Sequence, residues 1–118
     1  MFQNQGVNKI ILVGHVMGQP EWRTVAQCRS LYLQLLTIEN INRQGAVQQH
    51  FENHFLRLPE SVADFTVDDL QDGTALYVEG KISTTQSIDA KGIKRYDTSI
   101  IVNKYSIVAT MPEQVSRV

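Results

Sequence analysis

The sequence predicts an all-β domain: five strands closed into a barrel in the order β-β-β-α-β-β, with one helix between the third and fourth strands. Three observations predict it. Short runs rich in Ile, Val, Leu and aromatic residues recur along the chain, each bounded by Gly, Pro or polar clusters, the pattern of partly buried strands. A single segment, residues 61–71, carries helix-start and helix-stop chemistry. Polar stretches after the first, second and fourth runs leave room for long connections.

The first strand lies in residues 6–16. Ile10, Ile11, Leu12 and Val13 are apolar without a break and Val16 resumes the pattern, a run too short for a helix and rich in β-branched residues. Gly14 would let another backbone approach closely. Residues 18–23 hold Gly18 and Pro20 and read as a loop. Residues 31–39 are apolar on both faces, as a core strand is. Residues 40–49 are polar, contain Gly45 and predict a flexible loop. The third strand, 50–58, is stopped by Pro59.

The helix is expected over 61–71. Ser61 and Asp64 have the spacing of a capping box, Val62, Phe65 and Leu70 supply an apolar stripe, and Gly73 ends it. Asp68, Asp69 and Asp72 oppose the dipole at its C-terminal end, so packing must hold it. A fourth strand follows at 75–82, then the turn residues Asp89-Ala90-Lys91-Gly92, then a fifth strand at 96–108 around Ile100, Ile101 and Val102. A five-stranded barrel in this order is the OB-fold plan. Residues 1–5 are expected to be a flexible N-terminus, 6–110 the domain and 111–118 a tail.

At 118 residues the chain is one domain. Its one cysteine, Cys28, allows no internal disulfide and fits a reducing, cytoplasmic compartment. No apolar window approaches the roughly 20 residues of a membrane span, and the first residues have neither the charge nor the apolar core of a secretory signal. The net charge of −1 is unevenly spread: five of the twelve acids fall between positions 60 and 72, where there is no Lys or Arg. Elsewhere seven acids face eleven bases, a balance that permits a polyanionic partner.

The chain resembles the bacterial single-stranded-DNA-binding proteins, a homotetrameric OB-fold family. The resemblance is carried by Gly6-Val7-Asn8-Lys9-Ile10-Ile11-Leu12-Val13-Gly14, Pro20-Glu21-x-Arg23, Leu36-Thr37, His54, Gly73-x-x-x-Tyr77-Val78-Glu79-Gly80-Lys81-Ile82 and Asp89-x-x-Gly92-x-x-Arg95-Tyr96-x-Thr98. It spans position 6 to about 108. It implies single-stranded DNA as partner, a homo-oligomer with a tetramer favoured over a dimer, roles in DNA replication, recombination or repair, and a subunit contact at His54. The family's four base-stacking aromatics fall at Ile41, Asn53, Pro59 and Ser87, none of them aromatic. Phe55, Ser61, Gln71, Asp72, Ser83, Thr85 and Gln86 stand where the family carries Lys or Arg, and Lys9 and Arg23 persist. Members commonly continue into a flexible linker and an acidic tip; this sequence stops at Val118, as a short member or a shortened chain would.

A nucleic-acid surface can be assembled from the remaining residues. Phe51, Phe55 and Arg57 alternate onto one strand face. Lys81 shares a face with Tyr77 and Glu79. Lys91, Lys94 and Arg95 crowd the hairpin after the fourth strand, Arg43 lies in the loop after the second, and Trp22 sits beside Arg23 in an expected exposed loop. Phe51, Phe55, Arg57, Lys81, Lys91, Lys94, Arg95 and Trp22, with Lys9, Arg23 and Arg43, are the candidate binding residues. Large aromatics are mostly buried, so Phe51 and Phe55 compete with a place in the core or an interface. His50 and His54 lie about 13 Å apart in a strand, too far to share a metal ion. No catalytic set, metal site or cofactor is expected, and neither a membrane nor a small-molecule substrate. The rival expectation is an OB-fold interaction module that self-assembles without tight DNA binding.

Overall fold

Five strands of fourteen to sixteen residues build the computed structural model, which describes residues 5–108. They are β1 (Ile10–Val25), β2 (Cys28–Arg43), β3 (Ala46–Pro59), β4 (Ala75–Ile88) and β5 (Lys94–Ile107). The barrel closes in the order β1-β2-β3-β5-β4, with β4 returning to β1. Every neighbouring pair is antiparallel except β3 and β5, which meet in parallel over only Leu56↔Ile100 and Arg57↔Ile101. Among the described residues no helix is long and apolar enough to cross a membrane. The tail expected at 111–118, and all but the last residue of the N-terminal segment, lie outside the described residues.

Two-residue alternation makes the core. Leu31, Leu33 and Leu35, Leu56 and Leu58, Leu76 and Val78, Ile100 and Val102 all point inward and are buried, with Val16 among them. Burying each such side chain stabilises the fold by about 1.5–3 kcal/mol. Gly14 lies where a Cβ would run into the Leu36 carbonyl, and Gly80 does the same against Ile101. Both are small because two backbones cross there.

The helix expected over 61–71 is absent; the only helical turn among the described residues is a single 3₁₀ turn at Val67–Asp69. Asp64 explains much of the difference. Its Oδ1 accepts from the Thr66 backbone N–H at 2.8 Å and the Thr66 hydroxyl at 2.6 Å, an Asx-type turn that competes with helical pairing. The Tyr105 hydroxyl donates to the same carboxylate at 2.7 Å and accepts from the Asp64 N–H at 3.0 Å, tying the turn to β5. Phe65, expected in the apolar stripe, is 91% exposed, whereas Leu70 is buried and Val62 and Val67 pack on the core. The segment closes the barrel as a pinned loop.

The loops expected at 18–23 and 40–49 are also strand. β1 continues through a bulge between Met17 and Glu21 to a tight turn at Ala26 and Gln27, both at positive φ. Asp72 holds the bulge by accepting from the Gly18 N–H at 2.7 Å. β2 and β3 stay paired as far as Arg43↔Ala46 around Gln44-Gly45, and β4 and β5 as far as Ile88↔Lys94. Polar residues outside the barrel are solvated on both faces, which removes the apolar alternation that marks a strand in sequence. Long hairpin arms replace the expected loops.

Candidate nucleic-acid interface

The outward positions of β1, β2 and β3 line up by register. Met17, Gln34 and Phe55 form one row, and Glu21, Tyr32 and Arg57 form another that continues across β5 and β4 as Ile101 and Lys81. Ile38↔Phe51 forms a further row towards the β2–β3 arm. Phe51 and Phe55 are 53% and 56% exposed, so the usual burial of aromatics does not apply to either. Phe55, Tyr32, Arg23, Gln34 and Met17 line one cavity of about 300 Å³ at the β1 bulge.

Cations and aromatics interleave on this face. The Arg23 guanidinium lies 4.9 Å from the Tyr32 ring centroid and is oriented by Glu21, whose Oε1 accepts from Nε at 2.9 Å. Arg57 is half-buried on its outward row, and its Nε is buried without a partner among the described residues. A buried unpaired donor is costly. Asn53 donates to Gln34 Oε1 at 2.6 Å.

The structure separates the remaining candidates from this cluster. Trp22, expected in an exposed loop, is half-buried on β1, packs on the core and carries Arg29 over its ring at 4.1 Å; Arg29 in turn bonds Glu60 at 2.9 Å. Lys9 lies before β1, with Nζ 3.8 Å from Glu79. The Tyr77 hydroxyl, hydrogen-bonded to Glu79, is the main reason that carboxyl stays below its ordinary pKa, with Lys9 and Lys104 adding to it. Arg43 lies at the tip of the β2–β3 arm. Lys91, Lys94 and Arg95 lie at the tip of the β4–β5 arm, shaped by Asp89. Its Oδ1 accepts from the Lys91 and Ile93 N–H groups, both at 2.9 Å, and Arg95 reaches Oδ2 at 3.4 Å. The Ile93 N–H leads the causes that hold Asp89 below its ordinary pKa.

His54 faces away from this row. Its Nε2 is 2.9 Å from the Thr37 hydroxyl, and it borders a groove of about 300 Å³ lined by Ile11, Val13, Ile38, His50 and Glu52. His50 pairs with Glu52 at 2.8 Å. Sequence reasoning missed Tyr32, Gln34 and Met17 as members of the outer face. Their only sequence signal is parity within a strand whose register was not yet known.

The model of the single-strand binding protein family matches residues 7–108. Among solved structures the chain is similar to the Plasmodium falciparum SSB in complex with ssDNA, at 20% identity and a TM-score of 0.76, covering 91% of this chain and 97% of that one. It is similar to a deletion mutant of the single-stranded DNA binding protein from Thermus aquaticus, at 22% identity and a TM-score of 0.76, covering 87% of this chain and 51% of that one. The chain thus spans about half the Thermus protein's length. A third is the small single-stranded DNA-binding protein from Streptomyces coelicolor, at 19% identity and a TM-score of 0.64, covering 86% and 94%. At these identities the structural likeness carries the fold, and the family match carries the membership.

Proposed function

The chain belongs to the single-strand binding protein family, and from that premise we propose that it is a non-enzymatic protein that binds single-stranded DNA with little regard to sequence, in support of replication, recombination or repair. The observation that carries the reading beyond membership is the exposed ring of Phe55 in one cavity with the Arg23-capped Tyr32. Every base has a π-face, so such a surface accepts any of them. Phosphates then meet Arg23, Arg57, Lys81 and Lys9, with Arg43, Lys91, Lys94 and Arg95 reaching the strand from the two arm tips. Phe51 extends the apolar track along β3, and Trp22 supports the face from within.

Affinity is set by what replaces the family's stacking aromatics. Each stacked base is worth roughly 1–3 kcal/mol, and Ile41, Asn53, Pro59 and Ser87 offer no aromatic ring. Binding is accordingly weaker than four aromatics would provide and steeply salt-dependent, because it releases counterions. The protein acts as a homo-oligomer, a tetramer in preference to a dimer. Exposed Ile11, Val13 and Ile38 beside His54 supply an apolar surface for the contact. The cytoplasm, where the exposed thiol of Cys28 stays reduced, is its compartment.

Fluorescence anisotropy of labelled oligo-dT at low salt, followed by a salt titration, tests the reading. Binding that weakens linearly in log salt supports it, and no binding at micromolar protein overturns it. A second reading, an oligomeric interaction module without tight DNA binding, draws on the Asn53 amide, which is engaged by Gln34 at a position where the family stacks a base. Self-association retained without oligonucleotide binding would select it.

A further inference from the structure

We infer that Phe55 is a two-sided base platform, a partition between two slots that take successive nucleobases of one strand. The inference deepens the single-stranded-DNA reading and rests on it. Phe55 lines two separate cavities. The first, about 300 Å³, holds Met17, Arg23, Tyr32 and Gln34 on the β1–β2 side. The second, about 310 Å³, holds Ile10, Ile82, Thr98, Ser99 and Ile100 on the β4–β5 side, with Asn53 and His54 of β3. Both are at the lower end of the roughly 300–1,000 Å³ range of ligand clefts.

The topology creates the second slot. β3 and β5 pair only at Leu56↔Ile100 and Arg57↔Ile101, so beyond that point the strands part at Asn53–Phe55 on one side and Thr98–Ser99 on the other. Phe55 is the first outward β3 residue beyond the paired positions and is 56% exposed. The same side chain therefore borders both cavities, one on each side of β3.

The two slots differ in chemistry. The first pairs aromatic and thioether surface with the Arg23 cation and the Gln34 carboxamide. The second combines the aliphatic Ile10, Ile82 and Ile100 with the His54 imidazole and the Thr98 and Ser99 hydroxyls. Gln34, the register partner of Phe55, lines the first slot, Asn53 lines the second, and their 2.6 Å hydrogen bond links the walls. That bond uses one Asn53 donor and one Gln34 acceptor, so each carboxamide keeps further hydrogen-bonding capacity for a base edge. A base enters each slot by stacking, and the first slot also contacts its edge.

Methyl NMR of the full chain titrated with oligo-dT tests this. Ring-current shifts are expected together at the Met17 methyl, in the first slot, and at the Ile82 methyl, in the second. Phe55→Ala should weaken binding about 100-fold, as loss of stacking on two faces demands, and Phe55→Trp should retain it. Because Phe55 is exposed, the thermal midpoint of Phe55→Ala should stay near that of the wild type, separating lost binding from lost folding. Shifts confined to one methyl, or Phe55→Ala binding as the wild type does, overturn the two-slot platform while DNA binding stands. A wild-type protein that leaves oligo-dT unbound overturns both.

Discussion

Arg23 lies diagonally across the β1–β2 ladder over Tyr32, 4.9 Å from the ring centroid, while the direct register partner of Tyr32 is Glu21, the residue that orients the guanidinium. An exposed cation–π pair of this kind contributes about 0.5–1 kcal/mol. It also holds the Arg23–Glu21 ion pair at the cavity shared with Phe55. Arg23→Ala is therefore expected to lower affinity for oligo-dT severalfold and to reduce the slope of log affinity against log salt by about one phosphate contact. Anisotropy at three or more salt concentrations checks both.

Self-association should depend on the face bordered by His54. Ile11 and Val13 are exposed on β1, and neither packs in the core cluster. Replacing both with Glu places two like charges where the proposed contact buries apolar surface. The expected result is a shift to the 13.4 kDa protomer in sedimentation equilibrium, with an unchanged circular dichroism spectrum.

Gly14→Ala should destabilise the barrel without touching the outer face. The new Cβ meets the Leu36 carbonyl, which belongs to the backbone and cannot rotate away. Overpacking of this sort costs about 1–3 kcal/mol. The drop would be read as a lower urea midpoint with an unaltered m-value.

Two substitutions test the pinned loop in place of the expected helix. Phe65→Ser is expected to change stability by no more than about 0.5 kcal/mol, since the side chain is 91% exposed. Leu70→Ala, at a buried position, should cost about 2–5 kcal/mol. An amphipathic helix with Phe65 and Leu70 on one stripe would make both costly. Thermal and urea unfolding distinguish the cases.

Acid should weaken the fold. The Thr66 and Tyr105 hydroxyls lead the causes that hold Asp64 below its ordinary value, the Tyr77 hydroxyl leads for Glu79, and the Ile93 N–H leads for Asp89. A depressed folded pKa favours the charged form, so the contribution is full above the unfolded values. It is lost as pH falls through the folded ones. Urea midpoints should be flat around neutral pH and decline below about pH 5. Asp89→Asn should shallow that decline and loosen the tip carrying Lys91, Lys94 and Arg95. Asp64 is exposed and Glu79 and Asp89 are half-buried at the surface, where solvent screens them, so each effect is small.

The strands that build the core were legible because apolar runs are a local property, but residues 31–39 are apolar on both faces, and only the structure turns Leu31, Leu33 and Leu35 inward. The arms were not legible, because residues 40–49 and 18–25 extend as strand without apolar alternation, and pairing with a neighbour decides their state. The missing helix has the same origin. Its cap and stripe residues are present, but Tyr105, 41 positions from Asp64, claims the carboxylate that would have served the helix end.

The candidate site divides along similar lines. Phe51, Phe55 and Arg57 could be assigned to one face from parity on β3 alone. Tyr32, Gln34 and Met17 could not join them until the registers Gln34↔Phe55, Tyr32↔Arg57 and Met17↔Gln34 were known, and Trp22 changed from an exposed loop residue to a half-buried one packed against the core. By itself the sequence determined a five-stranded barrel and the apolar runs that build it, since strand-forming runs are encoded strand by strand. Only the tertiary structure decided that Phe55 stands between two cavities, because that depends on where β3 and β5 part, a non-local pairing that no stretch of chain carries alone.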